Sequence, residues 1–412
     1  MENIGQLITM RGPVPRRGRD LADIGLIEKG FVAVSADKIA AVGSMKEISG
    51  QIDPAENCQV ISCENRVVTP GLIDPHTHPV FVGTREAEFE MRLAGKSYME
   101  IARAGGGIRS TVRRLRETDE KTLFREARKT VDTLMSFGIT SIEAKSGYGL
   151  STEAEIKMLE VIRQLNEQGP MDLYPTFMGA HEIPDEFRQD RRGYIDLILK
   201  EMIPAIAENS LALFCDVFCE EGVFTAEESR EILMAAKKAG MRPKLHADEL
   251  KGTGGAELAV EVGAISADHL GCISNRGIRR MAVSDTVAVL LPGTTFALGL
   301  EAYAPARKMV DEGVIVALST DCNPGSSMTE SLPMIISLAA LKLKMTAAES
   351  LSAVTVNAAC AIGRGNDLGR LDTGLPADIT IWEMNDYREL PYHYGVNLVD
   401  KVIKNGKMVV ER

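Results

Sequence analysis

Thr69-Pro70-Gly71-Leu72-Ile73-Asp74-Pro75-His76-Thr77-His78 is the stretch from which the rest of the chain can be read. A short apolar run ends in two histidines one residue apart. Side chains two apart on a strand share a face, so both imidazoles can look past the end of a buried strand toward one cation. Working outward, chemistry-bearing residues follow later apolar runs: His181 in FMGAHE, His246 in KLHADE, His269 in SADHL and Asp321 in STDCNPGSS. Five of the six histidines thus fall where a strand gives way to a loop.

Those runs lie near 70–75, 139–144, 172–178, 212–217, 242–246, 264–268, 286–291 and 314–319. Helix-period segments follow most of them. Thr225 with Glu228 and Thr346 with Glu349 carry the capping-box pattern, and Gly138 and Gly240 stand where a helix would end. Eight alternating units predict an α/β fold, a (β/α)8 TIM-like barrel whose site lies at the carboxy ends of its strands. A doubly wound open sheet would not place catalytic residue types at so many successive strand ends. Residues 30–43 alternate about a turn at Ala36-Asp37-Lys38, and 377–383 and 401–410 are β-rich, with Asn405-Gly406 as a hairpin signal. The expected division is 1–68 and 365–412 as two parts of a small β-sandwich domain, with the barrel over 69–364.

The bulk properties narrow the class. Lys plus Arg is 47 and Asp plus Glu is 58, a formal net charge of −11. That argues against a nucleic-acid or anionic-membrane binder. Seven cysteines form no CxxC pair, which reads as reduced thiols. No run is apolar enough to span a bilayer, and MENIGQLITMRGPVPRRG lacks a signal-peptide core. The reading is a soluble cytoplasmic enzyme. A nucleotide-binding oxidoreductase is disfavoured, since no GxGxxG follows a strand.

Three imidazoles and one carboxylate, His76, His78, His246 and Asp321, suit one Zn²⁺ or one iron ion (Fe²⁺ or Fe³⁺) per chain with a position left open. Asp321 is placed both to touch the metal and to accept a proton from a water. His269 is expected to orient that water or polarise a carbonyl. Glu249 reads either as a solvated carboxylate or as a partner for a ring nitrogen. Arg85 reads either as a surface arginine or as a bidentate holder of a carboxylate. Tyr148 and His181 are candidate substrate contacts. Asn323, Gly325 and Ser326 form a polar turn able to meet an anion. Lys145 fits a polar network better than a metal bridge, and Gly105-Gly106-Gly107 reads as a lid or tight turn.

At this level of detail the chain resembles the amidohydrolase superfamily, and within it the imidazolonepropionase family. TPGLIDPHTH, AGGGIRSTV, EAKSGYGL, TFMGAHEIP, KLHADE, SADHL, AVLLPGTTF, TDCNPGSS and PYHYGVN resemble that family's motifs in order. The resemblance implies a homodimeric enzyme of histidine degradation that hydrolyses 4-imidazolone-5-propanoate to N-formimidoyl-L-glutamate. It implies metal ligation by His76, His78, His246 and Asp321. Substrate contacts would come from Arg85, Tyr148, His181, Glu249, Asn323, Gly325 and Ser326, with His269, Asp321 and Glu249 in the chemistry. Cys322 and Pro79 depart from the family's usual residues without touching a ligand. A deaminase or another cyclic-amide hydrolase on the same barrel is the nearest rival, and a non-catalytic scaffold the remote one.

Overall fold

The computed structural model describes residues 1–48, 58–96, 100 and 105–412. Eight parallel strands form the barrel: β1 (Leu72–Thr77), β2 (Ile139–Lys145), β3 (Asp172–Ala180), β4 (Phe214–Cys219), β5 (Arg242–Ala247), β6 (Ser266–His269), β7 (Val287–Leu290) and β8 (Val316–Leu318). Each pairs with its neighbour in chain order. The ring closes where the His78 N–H donates to the Cys322 carbonyl at 2.9 Å. Asp74 staples the same seam. Its carboxylate accepts from the Ser319 hydroxyl, and from the Thr320 N–H at 3.1 Å and hydroxyl at 2.6 Å. A three-residue β8 thereby holds its place with little ladder of its own.

The expected capping signals act as read. Both capping boxes are formed, on the helices Ala226–Lys238 and Ala347–Ala353. Gly138 and Gly240 follow their helices at φ +87° and +96°, a region that favours glycine. Gly107, at φ +81°, is the N-cap of the helix Ile108–Glu117, so the triple glycine ends in a tight turn.

The opening stretch divides at Gly71. Val67–Pro70 lies in a second sheet and only Leu72 onward enters the barrel. Two tertiary contacts divide it: the Gly71 N–H donates to the carbonyl of Asp378, just ahead of the strand Ile379–Trp382 of the second sheet, and the Leu72 N–H to that of Gly138 at the foot of β2. A β-carbon at Gly71 would collide with Thr140, so glycine is required at the crossing.

The second sheet has seven strands drawn from both chain ends, in the order Lys407–Glu411, Val399–Lys404, Ile379–Trp382, Val67–Pro70, Ile4–Ile8, Leu26–Ser35 and Lys38–Ser44. It curls into the small β-sandwich. The Asn405-Gly406 turn comes back against the Ala36 turn, and a β-carbon on Gly406 would strike the Ala36 carbonyl. Leu7, Val32, Ile39, Val68, Ile379 and Ile403 are buried within the curl. On the barrel side Trp382 is fully buried, its indole N–H donating to Thr69 Oγ1 at 2.9 Å.

The barrel interior is layered. At its foot Ile73, Phe214, Val287, Val289 and Ile315 pack on the helix Val356–Ala361, which plugs that end. Above them lie Glu143, Lys145, Asp216, Lys244 and Asp268, all buried. The histidines form the next layer toward the open mouth.

Candidate active site

His76 and His78 leave β1 on the same face, their Nε2 atoms 3.3 Å apart. Asp321 Oδ1 lies 3.5 Å from the first and 3.6 Å from the second. Ring-nitrogen atoms of His76, His78 and His246 fall within 4.8 Å of one another, as do donor atoms of His76, His269 and Asp321. The four residues expected to hold a metal are therefore gathered at one point, with His269 beside them.

The strands beneath fix the tautomers. His76 Nδ1 sits 2.6 Å from Asp268 Oδ2, and His246 Nδ1 sits 3.0 Å from Asp216 Oδ2. Each carboxylate draws the ring proton to Nδ1 and leaves an Nε2 lone pair facing the mouth, the arrangement of an oriented metal ligand. Burial, then the Lys145 ammonium, keeps His76 well below the usual histidine value; burial, then His181, does so for His78. His76 and His78, neutral and with ring nitrogens converging on one carboxylate oxygen, make with His246 beside them a donor set that fits a divalent cation. For His246 burial pulls the same way, but the adjoining Asp216 charge outweighs it and raises the value.

A third grouping, His76 with Asp216 and Asp268, could be taken for a second metal position. It is filled by protein. Lys145 Nζ lies 2.6 Å from Asp216, 2.8 Å from Glu143 and 3.6 Å from Asp268. Lys145 is thus a member of a polar network, as its position at the end of β2 suggested.

Burial pushes the Asp321 carboxyl up to about 6, against the Thr294 hydroxyl that donates to Oδ2 at 2.5 Å. Glu249 is pushed up to about 8 by burial and then by the Asp321 charge. It lies 3.6 Å from His269 Nε2, so the surface reading of this residue is set aside. His269 itself is held well below the usual value by burial and then by His246. His269 and Asp321 both adopt left-handed backbone, φ +74° and +52°. Non-glycine residues pay for that conformation, and such strain gathers at working sites.

On the opposite wall His181 stacks on His78 with centroids 5.3 Å apart, and Tyr148 lies 5.4 Å from His181. His181 Nδ1 donates to the Gly147 carbonyl at 2.9 Å, leaving Nε2 free. Burial takes His181 down to about 3, so it is neutral. Arg85 is largely buried, with its Nε unpartnered among the described residues, and its guanidinium interacts with the Tyr148 hydroxyl. It is no surface arginine. Asn323, Gly325 and Ser326 form one turn in which Asn323 Oδ1 accepts from the Gly325 and Ser326 N–H groups, each at 2.8 Å. The Asn323 side chain is spent on folding the turn, and a β-carbon at Gly325 would strike the Arg85 guanidinium.

Two carboxylates outside the sequence reading hold these loops. Glu155 accepts from the Gly147, Gly149 and Leu150 N–H groups, fixing the Tyr148 turn. Asp248 accepts from the Thr253, Gly254, Gly255 and Ala256 N–H groups, fixing the turn that carries Glu249. Asp216, Asp268, Glu143, Lys244 and Thr294 were likewise not singled out. The signal was there: charged residues at even spacing inside apolar runs, as in Glu143-Ala144-Lys145 and Lys244-Leu245-His246, imply an inner face that is polar.

The model of the amidohydrolase family matches residues 67–409. The imidazolonepropionase of Alkaliphilus metalliredigens is 48% identical over 415 residues, covering 100% of this chain and 98% of that protein. That of Alkaliphilus oremlandii is 50% identical over 413 residues, again covering 100% and 98%. Among solved structures, an adenosine deaminase from Xanthomonas campestris with bound zinc is similar at a TM-score of 0.71 and 17% identity, covering 99% of this chain and 92% of that one. At that identity the likeness speaks for the fold.

Proposed function

Because the chain belongs to the amidohydrolase family, and within it to the imidazolonepropionases, we infer that it hydrolyses 4-imidazolone-5-propanoate to N-formimidoyl-L-glutamate in histidine degradation. It is a metal-dependent hydrolase of a cyclic amide C–N bond. One observation carries this: identity to imidazolonepropionases of about half the residues runs from end to end of the chain.

We assign the cation to His76, His78, His246 and Asp321, as one Zn²⁺ or iron ion per chain. Charge supports a divalent ion. Glu143, Asp216 and Asp268 against Lys145 and Lys244 leave one negative charge below the imidazoles, and Asp321 adds another. When bound, the cation supplies Lewis acidity, making a water more acidic and the ring carbonyl more electrophilic. Arg85 receives the propionate, beside the Tyr148 hydroxyl. Tyr148, His181 and the Asn323–Ser326 turn shape the wall against which the ring lies. Asp321 takes a proton from the attacking water as oxygen adds to the ring carbonyl carbon, and returns it to the departing ring nitrogen. His269 donates to the oxyanion formed in between. Glu249, protonated near neutrality by its raised pKa, holds the ring tautomer from above.

The barrel, which begins at Leu72 and not at the expected residue 69, is the catalytic unit in this proposal, and the enzyme works as a cytoplasmic homodimer with no nucleic-acid or membrane partner. Exposed Tyr392, Tyr394 and Leu341, on adjoining elements, support a subunit contact. The unpaired cysteines and the absence, among the described residues, of any helix long and apolar enough to cross a membrane support the compartment.

The test follows ring opening in metal-stripped enzyme titrated with Zn²⁺ or Fe²⁺. Loss of the imidazolone absorbance with formimidoylglutamate as product, saturating at one equivalent per chain, is expected. Ammonia release with the ring intact would move the chain to the deaminases, and saturation at two equivalents would overturn the single-ion reading.

Arg85→Met is expected to raise KM by about 10- to 100-fold, the worth of a charged hydrogen bond, with kcat changed far less. Steady-state kinetics check it. A kcat loss with KM unchanged would take Arg85 away from the propionate.

A further inference from the structure

We propose that Lys145 is the positioning residue that sets the metal affinity of the site, by holding with one ammonium the two aspartates that orient two of its imidazoles. The inference rests on the metal reading of His76, His78, His246 and Asp321.

The geometry is a relay of three steps. Asp216 Oδ2 takes both the His246 Nδ1 proton at 3.0 Å and the Lys145 ammonium at 2.6 Å. Asp268 Oδ2 takes the His76 Nδ1 proton at 2.6 Å and lies 3.6 Å from the same ammonium. Lys145, Asp216 and Asp268 are fully buried, so bulk solvent does not screen the carboxylates from each other. Asp268 Oδ1 has no other partner among the described residues. Glu143 anchors the ammonium from below at 2.8 Å, and Lys244 ties the second Glu143 oxygen at 2.7 Å while donating to the Pro75 carbonyl.

Without the ammonium, two buried aspartates would face each other uncompensated. One must then turn away, and the imidazole it served loses the acceptor that holds its Nδ1–H. The ligand it serves loses both its orientation and its basicity. Lys244 is as buried, and its charge acts on Asp268 ahead of that of Lys145, yet its own ion pair is with Glu143 and it makes none with either aspartate among the described residues. It therefore separates positioning from stability.

The experiment measures Zn²⁺ affinity by competition with a chromogenic chelator, and visible absorption of the Co²⁺-loaded protein, for wild type, Lys145→Met and Lys244→Met. Lys145→Met is expected to weaken Zn²⁺ binding about 10- to 100-fold and to alter the Co²⁺ bands. Lys244→Met should lower thermal stability but leave affinity within about threefold and the Co²⁺ spectrum unchanged. Where Lys145→Met does not fold, Glu143→Gln/Lys145→Met keeps the buried charge of the layer and should show the same loss of affinity. Wild-type affinity in either Lys145 variant, or equal losses in the two lysine variants, would overturn the proposal alone. A wild type that takes up no Zn²⁺ would overturn the metal reading and this proposal with it.

Discussion

Asp321→Asn lowers kcat by about 10⁴-fold when the site is kept loaded with excess Zn²⁺, the upper range for a displaced proton-transfer group. The change is close to isosteric, so the loss reports chemistry. An amide keeps its one oxygen toward the two imidazoles 3.5 and 3.6 Å away and sets its NH2 against Thr294, whose hydroxyl then accepts where it had donated. Asparagine also tolerates left-handed backbone, and residue 321 sits at φ +52°. What disappears is the basic oxygen. Burial has raised this carboxyl to about 6, which suits it to take a proton near neutrality and give it back. A bound cation pulls that value down. Metal affinity falls as well, because an anionic ligand becomes neutral. Measuring kcat across a Zn²⁺ series separates the two effects. Recovery to within tenfold of wild type at saturating Zn²⁺ would leave Asp321 a ligand only.

The barrel was legible because its strands are buried on both sides and read as apolar runs, and because five of the eight runs lead into a histidine or aspartate unsuited to a core. His76 and His78 are the clearest case: strand parity alone places both rings on one face. Gly71 shows the limit. The run through it looks like one strand, and only contacts with Asp378 and Gly138, far away in sequence, divide it between two sheets. The same holds for the site. Types of group at strand ends could be recognised singly, so His246, His269 and Asp321 were found. Asp216 and Asp268 act through pairing with Lys145, and their meaning depends on which strands are neighbours. Glu155 and Asp248 bind backbone N–H groups, which no side-chain pattern announces. Asn323 was legible as part of the turn, but its engagement within that turn depends on a backbone shape set by folding.

The layers explain why the site rests on so costly a foundation. Buried ion pairs seldom add stability over apolar packing. Here Glu143, Lys145, Asp216, Lys244 and Asp268 occupy the centre of the barrel, where packed aliphatic layers would be the stable choice. Their return is direction. The apolar plug around Val356–Ala361 closes the barrel from below, and above it Asp268 and Asp216 hold the Nδ1–H tautomers of His76 and His246.

His269→Ala keeps the metal and loses about 10²- to 10³-fold in kcat, the cost of removing one donor from a developing oxyanion. The argument turns on which form the ring takes. Burial and the neighbouring His246 hold its pKa well below the ordinary value, so at neutral pH it carries one proton and donates without becoming an acid. Glu249 lies 3.6 Å from Nε2, and with a carboxyl raised to about 8 it competes little for that proton. The ring is 5.1 Å from His246 and 5.4 Å from His76 between centroids, close enough to act on an oxygen in front of the cluster. The backbone calls for a control. His269 sits at φ +74°, which histidine tolerates better than alanine, so His269→Asn, with a residue at home in that region, is measured beside the alanine variant to separate the turn from the chemistry. Metal analysis and single-turnover rates on the same preparation decide the matter. A Zn²⁺ content that falls together with kcat would make His269 a ligand, and turnover near wild type would remove it from the chemistry.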